Sequence, residues 1–247
     1  MATAAPQDQW RLLDVQAHDT RLAQIAHRQH TLPELVEIET LTARLRAAGD
    51  DLVAARTVAG DVRRELSKAE ADVDQVRRRS DRDRSRLESG AGSAKDMQAL
   101  QSELESLARR QSVLEDAELE VMERLEEAEA REAEAQRRQE ELTTRLAELE
   151  QRRDAALAAL EDEAAGERRA RDDAAAGLPA DLLALYERVR ASSGGVGAAR
   201  LFQRRCEGCR LELTPTDLAR LRGAPDDAVL RCEECGRILV RTPDSGL

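Results

Sequence analysis

The sequence predicts a mainly α-helical protein in which a long antiparallel coiled-coil hairpin precedes a small β-rich C-terminal domain. Aromatic residues make up 1% of the 247 residues and charged residues 36%. This composition does not suit a large globular core, but it suits long helices that bury a narrow apolar stripe. All four cysteines lie near the C-terminus in two C-x-x-C pairs. That spacing is typical of a small metal-stabilised β module.

The hairpin is predicted to occupy residues 1–191 and to begin with a helix over about residues 7–29. A break is expected near Pro33, because the apolar stripe of this first helix is out of phase with the pattern that follows it. From Ile38 to Leu87, apolar residues recur at alternating steps of three and four. This is a heptad seam, so a long second helix is expected there.

The second half of the hairpin is predicted after a turn at about residues 88–95, where a Gly/Ser cluster interrupts the heptads. Another apolar seam then runs from Met97 to Leu149. Glycine and proline within 177–179 are expected to end this return helix, and a short helix is expected over 181–190. The return of the seam after so short a turn favours an antiparallel pair of helices.

A zinc ribbon is predicted over residues 200–247, after a flexible joint at 192–199 that is rich in Ser and Gly. The two C-x-x-C pairs are separated by a loop long enough to form a small β ribbon. One Zn²⁺ is expected, with a structural role, because four thiolates leave no coordination position for water or substrate. The predicted ligands are Cys206, Cys209, Cys232 and Cys235.

A pair of redox dithiols is the alternative interpretation of these cysteines. Redox C-x-x-C pairs sit at a helix start in a βαβ fold, and no such fold is predicted here. The sequence contains no Ser/His/Asp set, no Gly-rich phosphate loop and no paired acids in a predicted pocket, so neither an enzyme nor a small-molecule substrate is expected. Trp10 and Tyr186 are interpreted as anchors that pack the base of the hairpin.

The distribution of charge is relevant to the choice between a protein partner and a nucleic-acid partner. The net charge is −11, yet residues 200–247 contain nine Arg against eight Asp and Glu. A second basic stretch, residues 76–95, carries a net +4 and is interpreted as solvated helix or a docking point. Phe202 is the only aromatic residue of the ribbon, which gives base stacking little support. The candidate contacts to nucleic acid or to a partner protein are Arg200, Arg204, Arg205, Arg210 and Arg237.

The location is predicted to be cytoplasmic. No apolar run approaches the roughly 18 residues of a membrane span, and the first ten residues lack the pattern of a signal peptide. Thiols stay reduced in the cytosol, which agrees with a metal site rather than disulfides. The sequence leaves the choice between monomer and dimer open.

The chain resembles bacterial coiled-coil proteins that end in a C4-type zinc ribbon. The resemblance depends on the helical hairpin, on Tyr186 in the joining helix, on the Cys206-x-Gly-Cys209 knuckle and on the stretch Cys235-Gly-Arg-Ile-Leu239. Members of this family are described as predicted nucleic-acid-binding proteins. Some proteobacterial and chlamydial members act as adaptors or chaperones around an alternative sigma factor and the flagellar or type III secretion machinery. The resemblance therefore implies this fold and a binding role.

The function expected from the sequence is that of a non-enzymatic adaptor. The hairpin would present a surface to a macromolecular partner, and the ribbon would dock a protein or a nucleic acid. The alternative is a nucleic-acid-binding regulatory protein whose ribbon arginines contact phosphates, because Arg suits bidentate phosphate recognition.

Overall fold

Four helices precede the β-rich part of the chain. The computed structural model describes residues 2–247. The helices are α1 (Pro6–His30), α2 (Pro33–Glu88), α3 (Ala94–Ala175) and α4 (Ala180–Ser192). Prolines stand at the start of α1 and α2, where the missing N–H is not needed for a helical hydrogen bond. Within residues 2–247, no helix is both long enough and apolar enough to cross a membrane.

Residues 36–150 form one of two compact units and contain the paired stretches of α2 and α3. Ion pairs connect the two helices, including Arg63 to Glu129 at 2.9 Å and Arg77 to Glu115 at 2.6 Å. The buried apolar residues of this unit are Leu41, Ala48, Leu52, Ala59, Val62, Val73, Leu107, Ala128 and Leu149. Their spacing is that of the predicted seam, and the predicted coiled-coil hairpin is confirmed.

The turn of the hairpin lies between Glu88 and Ala94. Gly90 has a φ of 63°, a left-handed conformation that suits glycine. Ser93 begins α3 as its cap: its hydroxyl oxygen accepts a hydrogen bond from the backbone N–H of Asp96 at 3.3 Å. The Asp96 carboxylate in turn accepts the Ser93 backbone N–H at 2.8 Å. This reciprocal arrangement stops the chain from fraying where α3 begins.

The other compact unit comprises the residues up to Leu35 together with Gln151–Leu247. In it, α1 packs on the last third of α3 through Ile25, Leu160 and Ala164, all of which are buried. The β-rich part of this unit contains β1 (Ala198–Phe202), β2 (Arg205–Cys206), α5 (Pro215–Gly223), β3 (Leu230–Arg231), β4 (Ile238–Val240) and a 3-10 turn (Pro243–Ser245). The strand order is β2-β1-β4-β3, with β1 and β4 parallel and the other pairs antiparallel.

The sheet lies between two apolar cores, because successive side chains of a strand point to opposite faces. Ala198 of β1 and Ile238 of β4 join α1 and α4 in one core, which we call the helix-side core. Leu201 and Leu239 face the other way, into a core with α5 and the cysteines, which we call the knuckle-side core. The predicted C-terminal ribbon is therefore present, and one face of its sheet packs on helices.

Residues 2–4 pair with the segment that leads into β3. Thr3 pairs with Ala228, the backbone N–H of Ala4 donates to the Asp227 carbonyl at 2.8 Å, and that of Val229 donates to the Ala2 carbonyl at 3.1 Å. This pairing joins residues that lie far apart in the sequence. No local pattern in the sequence predicts it.

Two expectations differ from the structure. The segment 192–199 was expected to be a flexible joint, but Ser192 still belongs to α4, and Ala198 and Ala199 are buried in β1. The joint is shorter because this end of the strand packs on helices. Trp10 was expected to pack as an anchor, but 42% of it is exposed; Tyr186, in contrast, is fully buried.

Candidate metal centre and the surface around it

Each pair of cysteines lies in a tight loop between two strand segments. Cys206 ends β2, and the backbone N–H of Arg210 donates to its carbonyl at 2.7 Å, which closes the first loop around Cys209. Cys232 follows β3, and the N–H of Gly236 closes the second loop on the Cys232 carbonyl at 2.8 Å. Gly236 has a φ of 70°, so glycine suits this turn. The strand pairing brings the two loops together.

The four sulfur atoms all lie within 4.8 Å of one another. The sulfurs of Cys206 and Cys235 are 3.9 Å apart, as are those of Cys209 and Cys232. Zinc–sulfur bonds of about 2.3 Å in tetrahedral geometry place neighbouring sulfurs about 3.8 Å apart. Two of the sulfur–sulfur distances match this geometry, and the four cysteines form the site of a single structural zinc ion.

The thiols differ in their protonation before metal binds. Burial raises the pKa of Cys206 and Cys232, although backbone N–H groups oppose this effect at both. At Cys235 burial also acts to raise the pKa, but hydrogen bonds from the backbone and side chain of Arg237, together with those from other cysteines, outweigh it and lower the pKa to about 7. Cys235 is therefore the thiol that most readily offers a thiolate to a metal ion.

Arg237 connects the second cysteine loop to the segment that precedes β1. Its guanidinium donates to the carbonyl of Ser193 at 2.8 Å and to that of Val196 at 3.2 Å. The side chain also crosses Gly208, where an added Cβ would lie 2.7 Å from the Arg237 side chain and 2.9 Å from that of Ala199. Only glycine leaves room at this position for the arginine to cross the first cysteine loop.

Three of the five candidate arginines have partners within the chain. Arg200 pairs with Asp244 and lies over the Phe202 ring at 5.4 Å, so both side chains already have partners. Arg204 donates to the Gly246 carbonyl at 3.0 Å. Arg237 is committed to the two carbonyls described above. Of the five, Arg205 and Arg210 are exposed and have neither an ion pair nor a side-chain hydrogen bond within residues 2–247.

Gln16 of α1 holds the segment that leads into β1. Its side-chain oxygen accepts the backbone N–H of Gly197 at 2.7 Å, and its amide nitrogen donates to the Gly195 carbonyl at 3.2 Å. Gln16 is 7% exposed, and its bond to Gly197 is shielded from water. The sequence does not reveal this role, because a glutamine on a charged helix looks like a solvated residue.

A buried cluster of charges lies next to Gln16. Asp19 accepts a hydrogen bond from the Tyr186 hydroxyl at 2.6 Å and from Arg171 Nε at 2.9 Å. Arg190 Nε lies 3.6 Å from the same carboxylate, and Arg171 also pairs with Glu187. Burial, and then the bond to Asp19, raise the pKa of Tyr186. The cluster joins α1, α3 and α4, and it explains why Tyr186 is buried although it carries a hydroxyl.

Comparison with known proteins matches two family models to the chain: a CT398-like coiled coil hairpin domain over residues 15–194 and a C4-type zinc ribbon domain over residues 205–239. An uncharacterised protein of Mycobacterium tuberculosis is 43% identical over 230 residues, which cover 93% of this chain and 94% of the relative. A solved structure from Mycobacterium smegmatis has a TM-score of 0.83 and 42% identity, and the match covers 97% of this chain and 100% of that one. CT398 from Chlamydia trachomatis shares the fold, with a TM-score of 0.63 and 15% identity over 96% of this chain and 98% of its own.

Proposed function

We propose that this chain, which belongs to the family of CT398-like coiled-coil hairpin proteins and carries a C4-type zinc ribbon, is a non-enzymatic adaptor that binds a partner protein in the cytoplasm. The observation that carries the proposal is the closed metal site. Four sulfurs within 4.8 Å of one another fill every position of a tetrahedral zinc ion. Zinc there stabilises a surface and offers no position for substrate.

The arginines support a protein partner over nucleic acid. Three of the five candidates are engaged by groups of this chain, and the whole protein carries a net charge of −11. Affinity for nucleic acid depends mainly on positive groups that are free to neutralise phosphates, and a strongly negative protein is repelled by them. An interface between proteins needs no such excess of positive charge.

Nucleic-acid binding is the second candidate function, and the exposed Arg205 and Arg210 favour it. To test it, short single-stranded RNA and duplex DNA are titrated with the full chain, loaded with zinc, at several salt concentrations. Binding that weakens steeply with salt and is lost in the Arg205→Ala/Arg210→Ala double variant supports this candidate. Arg188→Ala is the matched control, because Arg188 is exposed on α4 and has no ion pair among residues 2–247. Absence of binding at low salt eliminates the candidate.

The adaptor proposal is tested by capture from cells that express the tagged full chain, with nucleases added to the lysate. We expect a specific protein at about 0.15 M salt, and we expect purified partner and purified zinc-loaded chain to reconstitute the complex. The matched comparison is Cys209→Ser/Cys235→Ser, which removes two zinc ligands. If captured proteins disappear on nuclease treatment, or if none rebinds the purified chain, the adaptor proposal is wrong.

A further inference from the structure

A groove with an exposed aromatic wall lies between the first turns of α1 and the last residues of the ribbon. We call it the Trp10 groove; it encloses about 410 Å³ and is lined mainly by Pro6, Trp10, Leu221, Arg222, Arg241 and Pro243. All of these residues belong to the same compact unit. The volume falls in the range of ligand-binding clefts, so it suits a peptide segment better than a folded domain.

Trp10 is fixed in this groove with part of its ring open to solvent. The indole N–H donates to the Arg241 carbonyl at 2.6 Å, while 42% of the residue is exposed. It is the only tryptophan in the sequence. A ring that is already oriented loses little conformational entropy when a partner covers it, and tryptophan and arginine are enriched among residues that dominate protein interfaces.

The charges of the groove are predominantly positive. The guanidinium of Arg241 donates to backbone carbonyls, including those of Ala224 at 3.0 Å and Leu221 at 3.2 Å, and it has no carboxylate partner within the described chain. Arg222 is exposed and likewise has no ion pair within residues 2–247. The positive end of the α1 dipole also lies here, and Asp8 in the first turn of α1 partly offsets it. Among the side chains that line the groove, Asp226 supplies the one carboxylate.

We infer that the Trp10 groove binds an extended acidic segment of the partner protein, with an apolar side chain on the indole and a carboxylate at Arg222. This inference depends on the proposed adaptor function and deepens it, because it gives the chemistry of the segment that is recognised. The excess of cations accounts for the acidic preference. A nucleic acid fits less well, since one ring offers a single stacking platform.

Trp10 itself provides the measurement, because its fluorescence reports on this groove alone. The full chain, loaded with zinc, is titrated with a pool of short peptides that alternate Asp or Glu with Leu, Val or Pro. A second pool carries Lys at the acidic positions. We expect the acidic pool to shift the Trp10 emission with saturation, the basic pool to have no effect, and added salt to weaken the response.

Arg222→Glu is the decisive variant, since this exposed side chain makes no contact that the fold requires. We expect it to weaken binding of the acidic pool about tenfold or more, because like charges then face each other. Arg188→Glu changes the net charge equally on another exposed helix face and should bind as the unaltered chain does. Trp10→Phe, followed by calorimetry, should weaken binding without changing the circular dichroism spectrum.

Three outcomes overturn the groove assignment: no response to acidic peptides, an equal response to both pools, or full binding by Arg222→Glu. A saturating response to RNA in place of the peptides also overturns it. The adaptor function fails by a different result, namely that no purified protein rebinds the full chain. If a partner binds Arg222→Glu as tightly as the unaltered chain, the adaptor function stands and the groove is not its docking site.

Discussion

The side-chain oxygen of Gln16 accepts a hydrogen bond from the backbone N–H of Gly197 at 2.7 Å. The same oxygen lies 3.2 Å from the Tyr186 hydroxyl, and the Gln16 amide nitrogen donates to the Gly195 carbonyl. One glutamine side chain therefore makes hydrogen bonds to two backbone groups in the segment between α4 and β1. The N–H of Gly197 would be unpaired and buried without it, which is why a single polar residue can fix the segment that leads into the ribbon.

Replacing Gln16 with Met should destabilise the protein by about 2 kcal/mol, because the methionine has a similar size but leaves the N–H of Gly197 without an acceptor. Urea denaturation followed by circular dichroism measures the change in the free energy of unfolding. Gln24→Met is the matched control, since Gln24 is exposed on the same helix. Equal stabilities of the two variants would contradict the proposed role of Gln16.

Gly197 and Gly166 should respond in opposite ways to alanine. A Cβ at Gly197 would lie 2.8 Å from the Tyr186 ring and from its carbonyl oxygen, so Gly197→Ala should destabilise by about 1–3 kcal/mol. A Cβ at Gly166, inside α3, meets nothing within 4 Å, and Gly166→Ala should stabilise by about 0.5–1 kcal/mol through lower entropy of the unfolded chain. Thermal unfolding of both variants measures the contrast, and a stabilising Gly197→Ala would contradict the packing described here.

The helices and the metal ligands could be predicted because their signals are local. A heptad seam repeats every few residues, and the turn before Ser93 interrupts it with glycine. The spacing of the cysteines alone predicts a metal site. In each case the residues that form the feature lie close together in the sequence.

The remaining features depend on contacts between distant parts of the chain. Thr3 pairs with Ala228, and Gln16 bonds Gly197, with no local pattern to mark either pair. Composition likewise could not separate Arg237, which is engaged by carbonyls, from Arg205, which is exposed. Trp10 was expected to pack as an anchor at the base of the hairpin, but its indole N–H donates to a carbonyl at the edge of an open groove.

Removal of zinc should affect the two faces of the ribbon sheet unequally. The knuckle-side core contains Cys206 and Cys232, whereas the helix-side core contains Ile238, Val240 and the buried Tyr186. A structural zinc site contributes about 10–16 kcal/mol to folding in zinc-finger peptides, so the cysteine loops should lose their order when a chelator takes the metal. Hydrogen exchange should then accelerate at 205–213 and 230–237. Protection in α1 and α4 should persist, and its loss would contradict the division into two cores.

Protons and Zn²⁺ compete for the same cysteine sulfurs, so zinc affinity must fall as the pH falls. Cys235 resists this competition best, because its pKa is lowered to about 7 against the effect of burial. Arg237 supplies hydrogen bonds that lower it. Without the guanidinium, burial would act with less opposition and the pKa of Cys235 would rise. The Cys235 sulfur would then stay protonated up to a higher pH.

Arg237→Ala should therefore move the midpoint of zinc release to higher pH and weaken zinc binding at neutral pH by about tenfold, the effect usual for a residue that supports a metal ligand. Competition with a chromophoric chelator across a pH series measures both quantities. Arg205→Ala is the matched control: it removes an arginine from the same ribbon, but one whose exposed side chain makes no hydrogen bond or ion pair within residues 2–247. If the two variants release zinc at the same pH, Arg237 acts on the fold of the ribbon and not on the protonation of Cys235.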